Sequence, residues 1–314
     1  MILVVSYPAD PHAEQVIRHL RQAGREVLLL DLSELPGQAT LTFDYVKPSR
    51  PLLEYRRDGG PPVDLANTRA VWWRRPQVAD PSAVTDPETR LFTVNEWQEA
   101  INGLWQLLDA RWMNPPDRDD AASRKAFQLR VAAETGLAVP RTLITSDPER
   151  AREFITTQGP QGTVYKTFSA THAVWRETRL VGESELALLD TVRLAPVIFQ
   201  DYVPAEVDLR VTVVGEHIFP AAIHSQNTDY PVDFRMGLGQ TTTEPTELPE
   251  EVSAQLRRLM RRLGLVYGAI DMRRTPDGRH VFLEINTAGE FLFIEERTAQ
   301  PISQALAEWL GREI

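Results

Sequence analysis

Short apolar runs alternate with amphipathic stretches in the first third of the chain. Runs with the length of buried strands lie at residues 2–5, 26–30, 41–45, 52–56 and 70–73. Between the first two runs, residues 12–22 follow a helical period that ends at Gly24, and residues 88–110 carry one apolar stripe at helical spacing. The β-α-β opening predicts a doubly wound α/β unit, in which the tryptophans of the long helix belong to the core.

The remainder of the chain has a different pattern, in which strands outnumber helices. Helices are predicted at residues 120–135, 249–263 and 301–310 and from residue 147 onward; strands are predicted at 142–144, 163–168, 173–181, 197–202, 207–213 and 217–224. This arrangement is typical of an α+β domain. A domain boundary is placed at Asn114-Pro115-Pro116, because prolines interrupt the pattern there.

A hairpin over residues 266–286 carries the strongest chemical signal. Asp277-Gly278 predicts a two-residue type I′ turn, since both central positions of that turn need positive φ. With the turn there, Pro276 pairs with Arg279, and counting outward places Asp271 directly opposite Glu284. Like charges opposite each other destabilise a sheet, so something is expected to offset them.

Alternation divides the hairpin into two faces. Asp271, Glu284 and Asn286 share the polar face, and the apolar face carries Ile270, Met272, Leu283 and Ile285. Two carboxylates and an amide oxygen are the ligand types that Mg²⁺ prefers. The alternative is that the carboxylates are solvated or form ion pairs with Arg273, Arg274 or Arg279.

Basic residues at unusual positions indicate an anionic ligand. The chain has three lysines, Lys47, Lys125 and Lys166. Lys166 lies inside an apolar strand, where a lysine is uncommon unless paired, and the small polar segment 169–171 that follows suits a phosphate contact. Lys125 lies near a helix start, where the helix dipole does not favour a cation. Each is also compatible with an ordinary surface lysine.

Composition narrows the class of protein. The formal net charge of −10 argues against a nucleic-acid binder, whose affinity comes mainly from neutralising phosphates. The absence of cysteine excludes disulfides and thiolate metal sites and fits a cytoplasmic protein. Neither a signal peptide nor a transmembrane stretch is recognisable, so no membrane association is expected.

An ordered set of individually weak motifs resembles the ATP-grasp ligases from residue 114 onward. The set comprises Lys125, Lys166, Gln200-Asp201-Tyr202-Val203 at a strand end, Asp208-x-Arg210, Asp271 and Glu284-x-Asn286. The resemblance implies an ATP-grasp fold after an N-terminal α/β pre-ATP-grasp domain. It divides the chain into a pre-ATP-grasp domain at 1–115, a central lobe at 116–196 and a C-terminal lobe with the Mg²⁺ site at 197–314.

The resemblance also implies a role for each of these residues. Lys125 and Lys166 would contact the ATP phosphates, and residues 200–203 would hold the adenine. Metal ligands would be Asp271, Glu284 and Asn286, for Mg²⁺ or for Mn²⁺ as a substitute. Catalytic roles would fall to Arg210, which would face the transferred phosphoryl group, and to Lys166 and Asp208; Asp208 and Asn286 would also contact the cofactor.

A closer resemblance is to the graspetide synthetases, the microviridin-type peptide macrocyclases. It rests on Trp72-Trp73-Arg74-Arg75-Pro76, Ile223-His224-Ser225-Gln226, Asp233-Phe234-Arg235 and the run 284–295. Thr287 stands where proline is common and Glu290 where glutamine is common. Basic residues expected to contact substrate are Arg74, Arg75, His224 and Arg235.

The resemblance implies ATP-dependent macrocyclisation of a ribosomal precursor peptide. Asp or Glu side chains of the peptide would be phosphorylated and then joined to Ser or Thr hydroxyls or Lys amines, while a leader segment docks away from the active site. A RimK-like or glutathione-synthetase-like ligase that adds an amino acid is one alternative. A non-catalytic nucleotide-binding protein is another. The resemblance is also compatible with a homodimer.

Overall fold

The computed structural model describes residues 1–157, 161–168 and 177–312. The chain forms two compact units, one of Met1–Pro116 with Pro301–Ile314 and one of Asp117–Gln300. In the described ranges, none of the helices has the length and apolar character needed to cross a bilayer. The α/β and α+β character predicted from the two hydrophobic patterns is confirmed.

The first unit is built around a parallel sheet. Its elements are β1 (Ile2–Val5), α1 (Pro11–Gln22), β2 (Val27–Leu30), β3 (Ala39–Asp44), β4 (Leu52–Arg57), β5 (Val63–Asp64), β6 (Ala70–Trp73), α2 (Pro87–Leu107) and β7 (Arg111–Met113). The parallel sheet has the order β2-β1-β6-β7, and β3-β4-β5 form a separate antiparallel sheet. Because β1 and β6 are buried in the parallel sheet, they read as continuous apolar runs.

The second unit contains two antiparallel sheets. Its elements are α3 (Pro116–Ser123), α4 (Lys125–Glu134), β8 (Thr142–Thr145), α5 (Pro148–Thr156), β9 (Thr163–Lys166), β10 (Arg179–Leu180), α6 (Glu183–Ala187), β11 (Val197–Asp201), β12 (Val207–Val214), β13 (His217–His224), β14 (Thr242–Pro245), α7 (Glu250–Leu263), β15 (Tyr267–Arg274), β16 (His280–Asn286) and α8 (Leu292–Thr298). The sheet orders are β10-β9-β11-β8 and β14-β13-β12-β15-β16. Apolar residues of the larger sheet pack with α4 and α7 to form the core.

Two predictions about these elements change, and a third lies partly outside the described residues. The helix expected at 120–135 is two helices, because Arg124 has extended backbone between them and Lys125 begins α4. The last helix, α9 (Ile302–Gly311), was assigned to the C-terminal lobe but groups with the first unit, because its buried face packs on α1. Of the strand expected at 173–181, the structure describes only β10 and its neighbours, and the segment 169–171 lies outside the described residues.

The predicted register of the β15–β16 hairpin is confirmed at Asp271 and Glu284 but not at the turn. Asp271 pairs with Glu284, as predicted. The turn, however, closes between Thr275 and Arg279 around a three-residue loop, with Gly278 at φ 83°, so Pro276 does not pair with Arg279. A bulge between Asp271 and Met272 absorbs this one-residue difference.

The bulge also exchanges two neighbouring side chains between the faces. Phe282, fully buried, joins the core beside Ile270 and Met272. Leu283, which was predicted to lie on the apolar face, instead borders a cavity on the other side of the sheet. The prediction for Leu283 was wrong because alternation does not continue through a bulge.

Candidate active site

One cavity of the second unit collects most of the residues singled out in the sequence. It is lined by residues of β9, β11, β12, β15 and β16, by the start of α4 and by the three connections that follow β9, β11 and β13: Lys125, Val164, Lys166, Thr167, Phe168, Thr178, Gln200, Asp201, Tyr202, Val203, Asp208, Val232, Asp233, Phe234, Arg235, Asp271, Arg273, Leu283 and Glu284. Chemically, this lining combines lysine and arginine side chains with carboxylates and a few apolar groups. Such a surface suits a polyanionic ligand accompanied by a cation.

Asp271 and Glu284, the two facing carboxylates of the hairpin, each bind a basic side chain. Lys125 Nζ lies 2.5 Å from Glu284 Oε2, and Arg210 Nη1 lies 2.8 Å from Asp271 Oδ1. Asn286 Nδ2 is 3.4 Å from Asp271 Oδ2, so the amide reaches the same carboxylate. Ion pairing is therefore how the like charges are tolerated, but the partners differ from those considered in the sequence.

The three arginines of the hairpin bind other carboxylates. Arg273 pairs with Asp208, Arg274 with Glu206 and Arg279 with Asp277. The alternative explanation of Asp271 and Glu284 as partners of these arginines is therefore wrong. No group of three or more His, Asp or Glu side chains with metal-binding geometry occurs in the described ranges. Two carboxylates and an amide nevertheless fit Mg²⁺, which commonly keeps water and substrate phosphates as its other ligands.

Charge and burial shift the pKa values of this cluster. Although burial opposes it, Lys125 and Lys166 lower the pKa of Glu284 to about 2. Burial raises the pKa of Asp271 against the opposing effect of Arg210. Burial in the cavity lowers the pKa of Lys166 to about 8, although Glu284 favours its charged form. Such shifts are typical of functional sites, though structural ion pairs also produce them.

A ladder of ion pairs crosses from β12 to β15. Asp208 lies opposite Arg273, and Arg210 lies opposite Asp271. The predicted motif Asp208-x-Arg210 thus does not pair internally, because each side chain binds its neighbour on β15. Arg210 Nη2 also donates to the Glu290 carbonyl at 2.9 Å, while the Glu290 side chain is exposed. The departure from glutamine at position 290 therefore leaves this main-chain contact in place.

Close packing behind Arg210 depends on a glycine. A Cβ added to Gly289 would lie 2.4 Å from Ala269 Cβ and 2.9 Å from Arg210 Nη2. Arg210 Nε is buried and has no hydrogen-bond partner among the described residues. A buried donor without a partner fits a site that completes its contacts with a ligand.

The segment predicted to hold adenine is fixed by side chains on both sides. Gln200 Oε1 accepts from Lys166 Nζ at 2.9 Å, and its amide donates to Thr142 Oγ1 at 2.9 Å. The carboxylate of Asp201 is held by Arg141, whose Nη2 lies 3.0 Å from Oδ1. These contacts bring Lys166 and the segment 200–203 together as expected.

The predicted substrate residues fall in different places. Arg235 borders the cavity and forms a two-point ion pair with Asp233, with distances of 2.7 and 2.5 Å. His224 is exposed and lies 3.0 Å from Glu244. Arg74 and Arg75 belong to the first unit.

The proposed contact between Arg74 and substrate needs correction. Its side chain is fully buried and lies 3.1 Å from Asp10, which also accepts a hydrogen bond from Ser6 at 2.8 Å. A guanidinium enclosed in this way stabilises the turn after β1 and is not accessible to a peptide.

Three residues of the site were not identified in the sequence. Arg273 and Asp233 lie on the cavity, and Arg141 holds Asp201 from outside it. Arg273 lies two positions after Asp271 and therefore on the same face of β15, which was a usable signal. Asp233 and Arg141 are in irregular segments, where periodicity gives no direction.

Family comparisons cover nearly the whole chain. Residues 1–120 match the MvdD pre-ATP-grasp domain, and residues 122–310 match the RimK-like ATP-grasp domain. Curated relatives include a probable alpha-L-glutamate ligase of Klebsiella pneumoniae (strain 342). It is 27% identical over 220 residues, which cover 67% of this chain and 70% of the relative.

Solved structures similar to this chain include ATP-grasp enzymes that were crystallised with peptides. The macrocyclase MdnC from Microcystis aeruginosa MRC, bound with its precursor peptide MdnA, has a TM-score of 0.89 and 32% identity, with 99% of each chain covered. A RiPP-associated ATP-grasp ligase from Chryseobacterium gregarium, in complex with ADP and a leader and core peptide, has a TM-score of 0.89 and 26% identity, with 98% and 96% covered. PsnB, complexed with a precursor variant, Mg and ADP, has a TM-score of 0.80 and 25% identity, with 98% and 97% covered. The chain therefore belongs to the RimK-like family of ATP-grasp ligases and carries the MvdD pre-ATP-grasp domain.

Proposed function

We propose that this ligase is an ATP-dependent macrocyclase of a ribosomal precursor peptide. It phosphorylates Asp or Glu side chains of the peptide and joins them to Ser or Thr hydroxyls or Lys amines, forming ester or amide rings. The observation that carries the proposal is the likeness to MdnC over 99% of both chains, which includes the pre-ATP-grasp domain. The glutamate-ligase relatives match about two thirds of the chain.

ATP-grasp ligases use ATP together with Mg²⁺, and we assign both to the cavity. Asp271, Glu284 and Asn286 would hold Mg²⁺, for which Mn²⁺ would be a substitute. A metal ion bound there neutralises charge on the phosphate oxygens. Lys125 and Lys166 would bind those oxygens from the other side.

The remaining side chains position and stabilise the reacting groups. Segment 200–203 would hold the base, and Arg210 would face the transferred phosphoryl group and the acyl-phosphate. In the first step, a carboxylate oxygen of the peptide attacks the γ-phosphorus and ADP leaves. In the second step, a hydroxyl or amine of the same peptide attacks the acyl carbon, phosphate leaves with the bonding electron pair and the proton of the nucleophile passes to water. Arg210 stabilises the charge on the acyl oxygen during this displacement.

The proposal extends to the partner and to the lobes. The precursor would carry a leader segment that docks apart from the reacting side chains, and two copies of the enzyme would form a homodimer. Residues 116–196 would form the central lobe, and the C-terminal lobe would begin at residue 197. Cytoplasmic location would give the enzyme access to ribosomal peptide and ATP.

The test is the intact mass of a candidate precursor peptide after incubation with the protein, ATP and Mg²⁺. Macrocyclisation removes one water for each ring and adds no mass. Glu284→Ala should abolish the loss of water, and Glu206→Ala is the matched control, because Glu206 is an exposed carboxylate paired with Arg274 outside the cavity. Cyclisation that persists in Glu284→Ala would refute the metal role.

A second candidate function is the addition of an amino acid to a peptide, which the glutamate-ligase relatives favour. The same mass measurement, repeated with free glutamate in the reaction, separates the two. A gain equal to one amino-acid residue would replace macrocyclisation with ligation. Tight ATP binding without turnover of any peptide would instead support a non-catalytic binding protein.

A further inference from the structure

Arg273 is a buried charge at the centre of the cavity wall. It lies on β15, two residues after Asp271 and on the same face, and its side chain is only 4% exposed. Burying a guanidinium is costly unless its donors are matched by acceptors in good geometry. The acceptors that match it therefore indicate what the residue holds in place.

The guanidinium of Arg273 reaches four acceptors on three separate segments of the chain. Its contacts are Nε to Asp208 Oδ1 at 2.8 Å, Nη1 to the Val203 carbonyl at 2.7 Å, and Nη2 to the Pro231 and Val232 carbonyls at 2.9 and 3.0 Å. The ring of Tyr202 lies 5.2 Å from its central carbon. One side chain thus joins the segment 200–203 to the segment that begins at Pro231.

Both carboxylate oxygens of Asp208 accept hydrogen bonds in this arrangement. Its Oδ1 accepts from Arg273, and its Oδ2 accepts from the Ser225 hydroxyl and, at 3.3 Å, from the Gln226 amide. A carboxylate with both oxygens occupied is poorly placed to accept a proton from substrate. We therefore assign Asp208 to orienting Arg273, in place of the catalytic role that the family resemblance implied.

The segment after Pro231 carries groups that face the cavity. Asp233 forms an ion pair with Arg235, and its Oδ2 also accepts a hydrogen bond of 3.2 Å from the backbone N–H of Thr178. Tyr230 OH donates to the Thr178 carbonyl at 2.8 Å. The position of Arg235 in the cavity therefore depends on where the Pro231–Val232 turn is held.

We propose that Arg273 is a positioning residue that fixes the base-holding segment 200–203 and the Arg235 segment relative to each other. The inference rests on the proposed function, because it takes segment 200–203 as the place of the adenine. A planar fork with donors in fixed directions can hold three carbonyls and a carboxylate at once, which a lysine ammonium cannot. Loss of the fork should release both segments while leaving one ion pair to Asp208 available.

The test compares Arg273→Lys with Arg274→Lys. Arg274 is the adjacent residue of β15 and binds Glu206 at the protein surface, so it serves as the matched control. Affinity for ADP with Mg²⁺ is measured by titration calorimetry, and amide hydrogen exchange is measured by mass spectrometry on the ligand-free proteins. Asp208→Asn is a second variant, which keeps the shape of the side chain and removes its charge.

In Arg273→Lys we expect ADP to bind roughly tenfold more weakly, the equivalent of one lost charge-assisted hydrogen bond. Segments 200–203 and 231–235 should both exchange faster, while β12 and β15 keep their protection. Asp208→Asn should change both measurements in the same direction by less, and Arg274→Lys should change neither.

Two results would overturn the inference. One is an Arg273→Lys protein with unchanged ADP affinity and unchanged exchange in both segments. The other is faster exchange throughout the second unit, which would mean that Arg273 contributes only to global stability. Failure of the wild-type protein to bind ADP or cyclise peptide would instead refute the proposed function, and the exchange comparison would still decide whether Arg273 couples the two segments.

Discussion

Replacing Glu284 with glutamine should lower the pKa of Lys166 further than burial already does. Burial in the cavity holds that pKa at about 8, with Glu284 acting in the opposite direction and Lys125, Arg273 and Arg235 adding to the decrease. At pH 7 a pKa of about 8 leaves roughly 90% of Lys166 charged. Glutamine keeps the volume of the side chain and removes the negative charge that raises the pKa of Lys166.

An opposite charge in the same cavity typically shifts a pKa by about one to three pH units. Taking the lower end, the pKa of Lys166 in Glu284→Gln falls by about one pH unit, and roughly half of the Lys166 side chains are uncharged at pH 7. The loss of charge should therefore be visible near neutral pH, where an ordinary lysine does not titrate.

The composition of the chain makes this measurable by NMR. Lysine labelled with ¹³C at Cε gives signals from Lys47, Lys125 and Lys166 alone, because these are the lysines of the sequence. Lys47 is exposed in the first unit, far along the sequence from the cavity residues, so its signal provides an internal reference for the labelled protein. Lysine-to-arginine variants assign the three signals.

Two outcomes would contradict the reasoning. If the pKa of Lys166 in the wild-type protein equals the ordinary lysine value of 10.5, the cavity does not desolvate its side chain. If its pKa is unchanged or rises in Glu284→Gln, Glu284 is not the charge that supports it. Glu206→Gln, which removes an exposed carboxylate, should leave the titration of Lys166 unchanged.

Two further predictions follow from the same geometry. Affinity for ADP with Mg²⁺ should change little below about pH 7 and fall as the pH rises through 8, because burial lowers the pKa of Lys166 to about 8 and only its charged form attracts phosphate. Calorimetry across that range checks the prediction, and a flat profile would contradict the phosphate contact. Phe282→Ala should reduce the free energy of unfolding by about 3–5 kcal/mol, since the ring is fully buried, whereas Leu283→Ala should change it by less than about 1 kcal/mol because Leu283 borders the cavity. Urea unfolding compares the two, and equal losses would contradict the bulge.

The hairpin shows how far the sequence could determine the site. The pairing of Asp271 with Glu284 was predicted from a two-residue turn, but the turn has a three-residue loop, and the bulge near Leu283 restores the register. The extra residue in the turn and the extra residue at the bulge cancel, so the register at Asp271 and Glu284 is the predicted one. Alternation locates a face reliably only between irregularities, and a bulge depends on packing that a sequence pattern does not contain.

The ion pairs between β12 and β15 show a second limit of prediction from the sequence. Strict alternation placed Asp208 and Arg210 on one face of β12. In the structure Asp208 lines the cavity, and Arg210 lies opposite Asp271, which lines it too. Their partners depend on the register between β12 and β15, strands that are separated by more than fifty residues of sequence. Neither hydrophobic period nor turn chemistry determines that register, so Arg273 was considered only as a partner for its own hairpin.

Both facing carboxylates of the cavity are already matched by cations within the protein. Lys125 binds Glu284 and Arg210 binds Asp271, which makes a buried cluster of charge tolerable in the folded chain. When the two carboxylates hold a cation, Lys125 and Arg210 each lose an anionic partner, and leaving them unpaired would be costly. In the proposed function, phosphate oxygens of a bound nucleotide would replace those partners. The pairs that stabilise the ligand-free fold therefore favour joint binding of metal and nucleotide over binding of the metal alone.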